Sequence, residues 1–178
     1  MISLYYYLVQ LNAIVAGVAA VAVFWRNRFQ PIGPALGLTM LGTAVWLFGF
    51  AQYFLTLPEA KALFWGKITL SASIAVNPLY FQSMVLLAGL FKRYRWWVLA
   101  ANLTAVIFIV LLWQDRIISG LTYPPYMAHY VAYDRGLYGW LILHIVGWQI
   151  FGASLLLDRK STRLNSSHSQ QSRMPSSA

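Results

Sequence analysis

Eight uncharged polar side chains interrupt the long apolar runs of this chain: Gln10, Asn12, Gln52, Asn77, Gln82, Asn102, His144 and Gln149. Taking such a group into hydrocarbon without a hydrogen bond costs roughly 2–7 kcal/mol, so each asks for a partner. Only His144 among them can take up a proton. The carboxylates before residue 158 are Glu59, Asp115 and Asp134, and all three fall between the apolar runs. An ion-coupled pump or carrier generally works through a carboxylate inside the membrane, and this pattern offers none. A haem or metal role for His144 needs a second ligand in reach. His129 lies outside the apolar runs, and the chain has no cysteine, which excludes thiolate ligands, disulfides and a cysteine nucleophile. No nucleophile–base pair, phosphate loop or ligand cluster stands out. The expectation is therefore no catalytic residue, no metal and no cofactor, with His144 making a hydrogen bond between helices.

Two further features bear on chemistry. Pro78, after Asn77, lies deep in the third apolar run, where it frees the carbonyl four residues back and bends the helix. Asn77, Ser73 or Ser71 can satisfy that acceptor, or Asn77-Pro78 is a hinge beside a pocket. Lys67, near Phe64 and Trp65, sits one turn inside the start of the same run. It either snorkels to the surface or faces an anionic ligand or lipid head with Trp65 as a wall.

The elements that carry these residues are five apolar stretches, expected as helical spans at about 4–25, 32–55, 63–91, 97–113 and 136–157. Each approaches the roughly 20 residues that cross a bilayer at 1.5 Å per residue. With 60% hydrophobic and 10% charged residues and a mean hydropathy of +0.60, a water-soluble domain is excluded, because too little charge remains to cover its surface. The expected fold class is an all-α polytopic transmembrane bundle, with glycines at 17, 33, 37, 42 and 49 allowing close helix contact.

The net charge of +9 does not argue for nucleic acid, because Arg159, Lys160, Arg163 and Arg173 belong to a compositionally foreign tail. Residues 158–178, DRKSTRLNSSHSQQSRMPSSA, are polar and serine-rich without periodicity, which fits disorder. Asp158 to His168 and Ser172 to Ala178 also back-translate, in one frame, to a widely used short-read sequencing adapter. Residues 1–157 are thus expected to be a fragment of a longer reading frame, and 158–178 an artefact.

Arg26, Arg28, Lys92, Arg93 and Arg95 fall on one side of the alternating spans. Lys61, Lys67, Arg116 and Arg135, mixed with the three acids, fall on the other. The positive-inside rule puts the first group in the cytoplasm and the N-terminus outside a plasma (inner) membrane. The long connection from Gln114 to Gly136 is then external. Its Tyr123, Tyr126, Tyr130 and Tyr133 recur at helix-like intervals, as in a short interfacial helix or lid, or in a plain aromatic belt.

The run from Trp46 to Phe81 resembles the N-terminal seven-helix membrane region of bacterial sensor histidine kinases, a module found also ahead of diguanylate cyclases. The residues that carry the likeness are Trp46, Gly49-Phe50, Ala60-Lys61, Phe64-Trp65, Lys67, Pro78 and Phe81, with the basic stretch and tryptophans that follow. Gln52 stands where members often have a glutamate. The resemblance implies a membrane sensor with five of seven helices present. It would relay a cue to a cytoplasmic output domain in a full-length homodimer, its partners the lipid bilayer and a small ligand. The expected ligand pocket lies in the outer half of the second and third helices, at Trp46, Gln52, Trp65 and Lys67 beneath the tyrosine loop, with Asn77-Pro78 as hinge. The rival is a transporter or permease fragment in which Asn77-Pro78 marks a broken helix.

Overall fold

The computed structural model describes residues 4–125 and 127–171, with side chains as far as 157. Helix α1 spans Leu4–Arg26 and α2 spans Ile32–Ala51, extended by a 3-10 turn at Gln52–Phe54. Then come α3 (Glu59–Leu87), α4 (Phe91–Trp113), a hairpin of β1 (Ile118–Thr122) and β2 (Tyr130–Tyr133), and α5 (Arg135–Gln171). All five helices are long and apolar enough to cross a membrane. The chain is an all-α polytopic bundle, because in lipid only a helix satisfies its backbone within one segment.

Successive helices run antiparallel. Gly17 of α1 faces Ala44 of α2, and Gly42 and Gly49 of α2 face Val76 and Thr69 of α3. A Cβ at Gly49 would collide with the Thr69 hydroxyl, so the missing side chain is what lets α2 and α3 approach. Helix α3 is the hub, packing against α2, α4, α5 and the hairpin, whereas α1 packs against α2 and the 3-10 turn. Helices α3 and α5 run parallel, Ile74 lying beside His144 and Asn77 beside Gln149. Two apolar clusters flank that contact. One joins Leu70, Ile74, Leu112, Ile117, Val131 and Leu141 near the hairpin. The other joins Phe81, Val85, Val98, Ala101 and Leu155 at the opposite end. Leu11, Ile14, Val18 and Val21 of α1 stay exposed, which suits a chain whose surrounding solvent is lipid.

The structure departs from the expectation in several places, and α3 already starts at Glu59 rather than at 63. Helix α3 ends at Leu87 and α4 starts at Phe91, not at 97. Gly89 takes φ +69, while the amides of Gly89 and Leu90 return to the carbonyls of Leu86 and Val85. That is a Schellman cap, and it stops α3 one turn early. Lys92, Arg93 and Arg95 therefore occupy the first turns of α4 rather than a loop. The connection over 114–136, expected to carry a short interfacial helix or lid or a plain aromatic belt, forms an antiparallel hairpin. Ile118, Thr122, Tyr130, Val131 and Tyr133 favour a strand, and Pro124-Pro125 interrupt any helix between them. Tyr126 of the expected stripe lies outside the described residues. Finally, the backbone of α5 continues as helix past 157 to Gln171, where a tail without regular structure was the expectation. Residues 158–171 contain neither glycine nor proline to halt it. The remainder of that tail, 172–178, lies outside the described residues.

Candidate functional site

Pro78 has no amide hydrogen, so the Ile74 carbonyl loses its partner within α3. His144 of α5 fills the gap: its Nε2 lies 3.4 Å from the Ile74 oxygen. The tautomer follows from the other ring nitrogen. Trp148 Nε1, which can only donate, lies 3.2 Å from His144 Nδ1. Nδ1 therefore accepts and Nε2 carries the proton that reaches Ile74. Thr104 of α4 brings its hydroxyl to 3.3 Å from the same Nδ1 while donating to the Ala101 carbonyl. Asn77, one of the residues expected to satisfy the freed carbonyl, instead donates to Ser73 O and accepts from Gln149 Nε2 at 2.6 Å. Despite Pro78, α3 is one continuous helix, unlike the broken helix that a carrier reading requires.

The polar seam continues along α3. Ser83 meets Thr39 of α2 at 3.3 Å, and Trp113 of α4 donates to Ser71 at 3.0 Å. Each neighbouring helix is thus tied to α3 by at least one polar contact as well as by packing. Asn12 and Asn102 bond to carbonyls of their own helices, Leu8 and Val98. Gln82 is half-buried. Among the described residues, no group of three or more His, Cys, Asp or Glu converges as a metal site would require.

Toward the end that carries the hairpin, a cavity of about 200 Å³ opens between α2, α3 and α5. Trp46, Phe50 and Tyr53 wall one side, Tyr130 and Tyr133 roof it, and Tyr138 of α5 closes the far side. Ser73 and Leu141 reach its floor, within one turn of the Ile74–His144 contact. The hairpin is seated by three features. The amides of Ala128 and His129 both donate to the Tyr53 carbonyl, at 2.9 and 3.2 Å. Val131 packs over Gly66, where a Cβ would collide with it. The buried His129 ring stands edge-on to Tyr53 with centroids 5.4 Å apart. Burial lowers the His129 pKa below its ordinary value, against a backbone hydrogen bond with Leu55 that raises it. Burial, the hydrogen bond to Tyr130 and neighbouring tyrosines raise the Tyr133 pKa far above that of a free phenol. Asp134 then starts α5 by accepting from the Gly136 and Leu137 amides at 2.9 and 3.4 Å, the role of an N-cap.

The four residues expected to form one pocket are dispersed. Trp46 lines the tyrosine-roofed cavity. Trp65 lines a separate groove between α1, α2 and α3, together with Gln10. Gln52 is buried and donates to Phe48 O, fastening the end of α2. Lys67 pairs with Asp115 at 2.7 Å and lies over the Trp113 ring, so its charge is met from within the chain. Sequence reasoning did not single out Tyr53, Tyr138, Thr104 or Trp148, since aromatic and hydroxyl residues at those positions are ordinary in any membrane bundle.

A bundle of this kind, with a hydrogen-bonded seam and a capped aromatic cavity, defines a polytopic membrane protein. The family described as the N-terminal 7TM region of histidine kinase matches residues 8–176, and the chain belongs to that family. No curated protein and no solved structure matches it.

Proposed function

We propose that the chain is the sensing part of a membrane receptor and that it relays a small ligand or membrane cue to a cytoplasmic output domain of a longer, homodimeric protein. The observation that carries this reading is the sharing of two helices. The same stretches of α3 and α5 that floor the cavity make the Ile74–His144 contact at Pro78. A ligand that fits better when α3 and α5 separate shifts the population toward a second packing, and the shift travels along both helices. Asn77-Pro78 serves as the hinge because the α3 backbone is already short of one internal hydrogen bond there. Trp46 contacts the ligand, whereas Gln52, Trp65 and Lys67 hold the surrounding helices.

Arg26, Arg28, Lys92, Arg93 and Arg95 cluster at the end opposite the hairpin, which favours a plasma-membrane orientation with that end in the cytoplasm and the N-terminus outside. The sensing region takes no part in phosphoryl transfer. The 158–178 segment has no role in this reading.

The test is autokinase or cyclase output of the full-length protein in native membranes. Tyr130→Leu and His144→Leu should each change basal output at least severalfold at equal protein level. Output identical to wild type in both variants overturns the reading.

A further inference from the structure

The roof and walls of the cavity have a geometry that goes beyond an apolar hole. Tyr53 stands edge-to-face on Phe50 (centroids 5.5 Å, 76° between planes) and on Tyr130 (5.3 Å, 68°). Tyr130 in turn stands at 78° to Tyr133, 6.1 Å away, and Tyr133 stacks on Tyr138 at 4.5 Å. Together with Trp46 these rings supply six of the side chains that line the cavity, and the face of an aromatic ring carries the negative part of its quadrupole.

The charges nearby decide what such a cavity takes. No lysine or arginine lines the cavity, and Lys67 is engaged by Asp115 on the α4 side of α3, so an anion finds no counter-charge. No carboxylate lines it either. For a strongly hydrated primary ammonium the cavity offers neutral hydroxyls, those of Thr69, Ser73 and the tyrosines, but no counter-charge, so its burial stays costly. A fully methylated ammonium carries the same charge on a weakly hydrated, apolar surface, and ring faces alone then suffice. Burial keeps Tyr133 protonated, so the attraction comes from the rings rather than from a phenolate. The volume, about 200 Å³, lies below the roughly 300 Å³ where drug-sized clefts begin, which suits a trimethylammonium group on a short stem.

We propose that the box formed by Trp46, Phe50, Tyr53, Tyr130, Tyr133 and Tyr138 binds a quaternary ammonium group, as a free choline-like solute or as a lipid headgroup. This names the ligand class for the cavity of the sensor reading and rests on it.

The experiment uses the whole chain in nanodiscs of phosphatidylglycerol and phosphatidylethanolamine, free of choline lipid and choline-containing detergent. Binding of choline and of its uncharged isostere 3,3-dimethyl-1-butanol is titrated by tryptophan fluorescence and by saturation-transfer NMR of the methyl protons. Choline should bind saturably, with the isostere at least ~10-fold weaker. Tyr130→Leu should weaken choline ~10-fold, and Tyr130→Phe by less than ~3-fold, because the ring matters and the hydroxyl does not. Trp46→Leu gives an independent second wall should Tyr130→Leu fail to fold, as judged by circular dichroism. Adding phosphatidylcholine to the discs distinguishes the sources. A rise in apparent choline Kd assigns the site to the headgroup, and an unchanged value assigns it to the free solute.

Equal binding of choline and its isostere overturns the cation assignment while leaving a ligand cavity in place. Absence of saturable choline binding overturns it as well. Neither result touches the sensor reading, which stands or falls on the output of the full-length Tyr130→Leu and His144→Leu variants.

Discussion

The carbonyl that Pro78 deprives of a partner, that of Ile74, is met by His144 Nε2 from the adjacent parallel helix at 3.4 Å. The proline and the histidine are therefore parts of one device, although 66 positions separate them. His144→Leu leaves the Ile74 oxygen unpaired in hydrocarbon and should lower thermal stability in detergent by about 1 kcal/mol. Pro78→Ala supplies an amide hydrogen to the same oxygen. In the His144→Leu background it should recover most of that loss, and in the wild type it should add little beyond helix propensity. Purely additive effects in this double-mutant cycle would show that the two residues are energetically separate.

A second pair can be tested the same way. Gln149 Nε2 donates to Asn77 Oδ1 at 2.6 Å, while Asn77 donates to Ser73 O. Gln149→Leu strands the Asn77 oxygen, and the expected cost is about 0.6–1.7 kcal/mol, the range for hydrogen bonds between membrane helices. Asn77→Leu with Gln149→Leu removes both polar groups and should be milder than the sum of the single changes. Unfolding in mixed micelles reads both.

The five spans were legible because lipid tolerates only long uncharged helices, and the residues of Leu4–Trp25 or Ile68–Phe91 leave little other choice. What was not legible depends on contacts between distant segments. Asn77, His144 and Gln149 each ask for a partner, but nothing local tells Asn77 to choose Gln149 or His144 to choose the Ile74 carbonyl. The tyrosine spacing in the 114–136 connection left open a short helix or a plain aromatic belt. Docking of the Ala128 and His129 amides on the Tyr53 carbonyl, together with strand-favouring Ile118 and Val131, made a hairpin instead. Gly89 was a local signal, since glycine just after an apolar run marks a helix end, and it was overridden by the run's apparent continuity. Of the expected pocket, Trp46 reached the cavity because it faces α5, while Trp65 lines the groove with α1.

Gly66 provides a test of how the roof is held. A Cβ there would collide with Val131 Cγ1, yet alanine is favoured over glycine inside a helix by about 1 kcal/mol. The two effects have opposite signs, so the direction decides. Gly66→Ala should loosen the hairpin, seen as faster proteolysis at the Pro124-Pro125 tip, with an overpacking cost of about 1–3 kcal/mol. Adding Val131→Ala should restore resistance. A more protease-resistant Gly66→Ala chain would mean that the hairpin does not rest on α3 there.

The seat of the hairpin should also respond to pH through His129. Its Nε2 is buried without a hydrogen-bond partner, and burial depresses the pKa below 6.5, so the docked form holds the imidazole neutral. The undocked histidine takes up a proton near 6.5 and the docked one only at lower pH. Below 6.5 the undocked state thus binds more protons, and docking weakens as pH falls toward the depressed value. Above 6.5 both forms are neutral and the docking strength is constant. The amides of Ala128 and His129, both bonded to Tyr53 O, report this directly. Their hydrogen-exchange protection factors, corrected for intrinsic rates, should hold from about pH 8 to about pH 7 and drop by about pH 5. In His129→Phe, which keeps a ring against Tyr53 and removes the titrating group, protection should stay level across that range. A wild-type profile as flat as the variant's would remove His129 from the device.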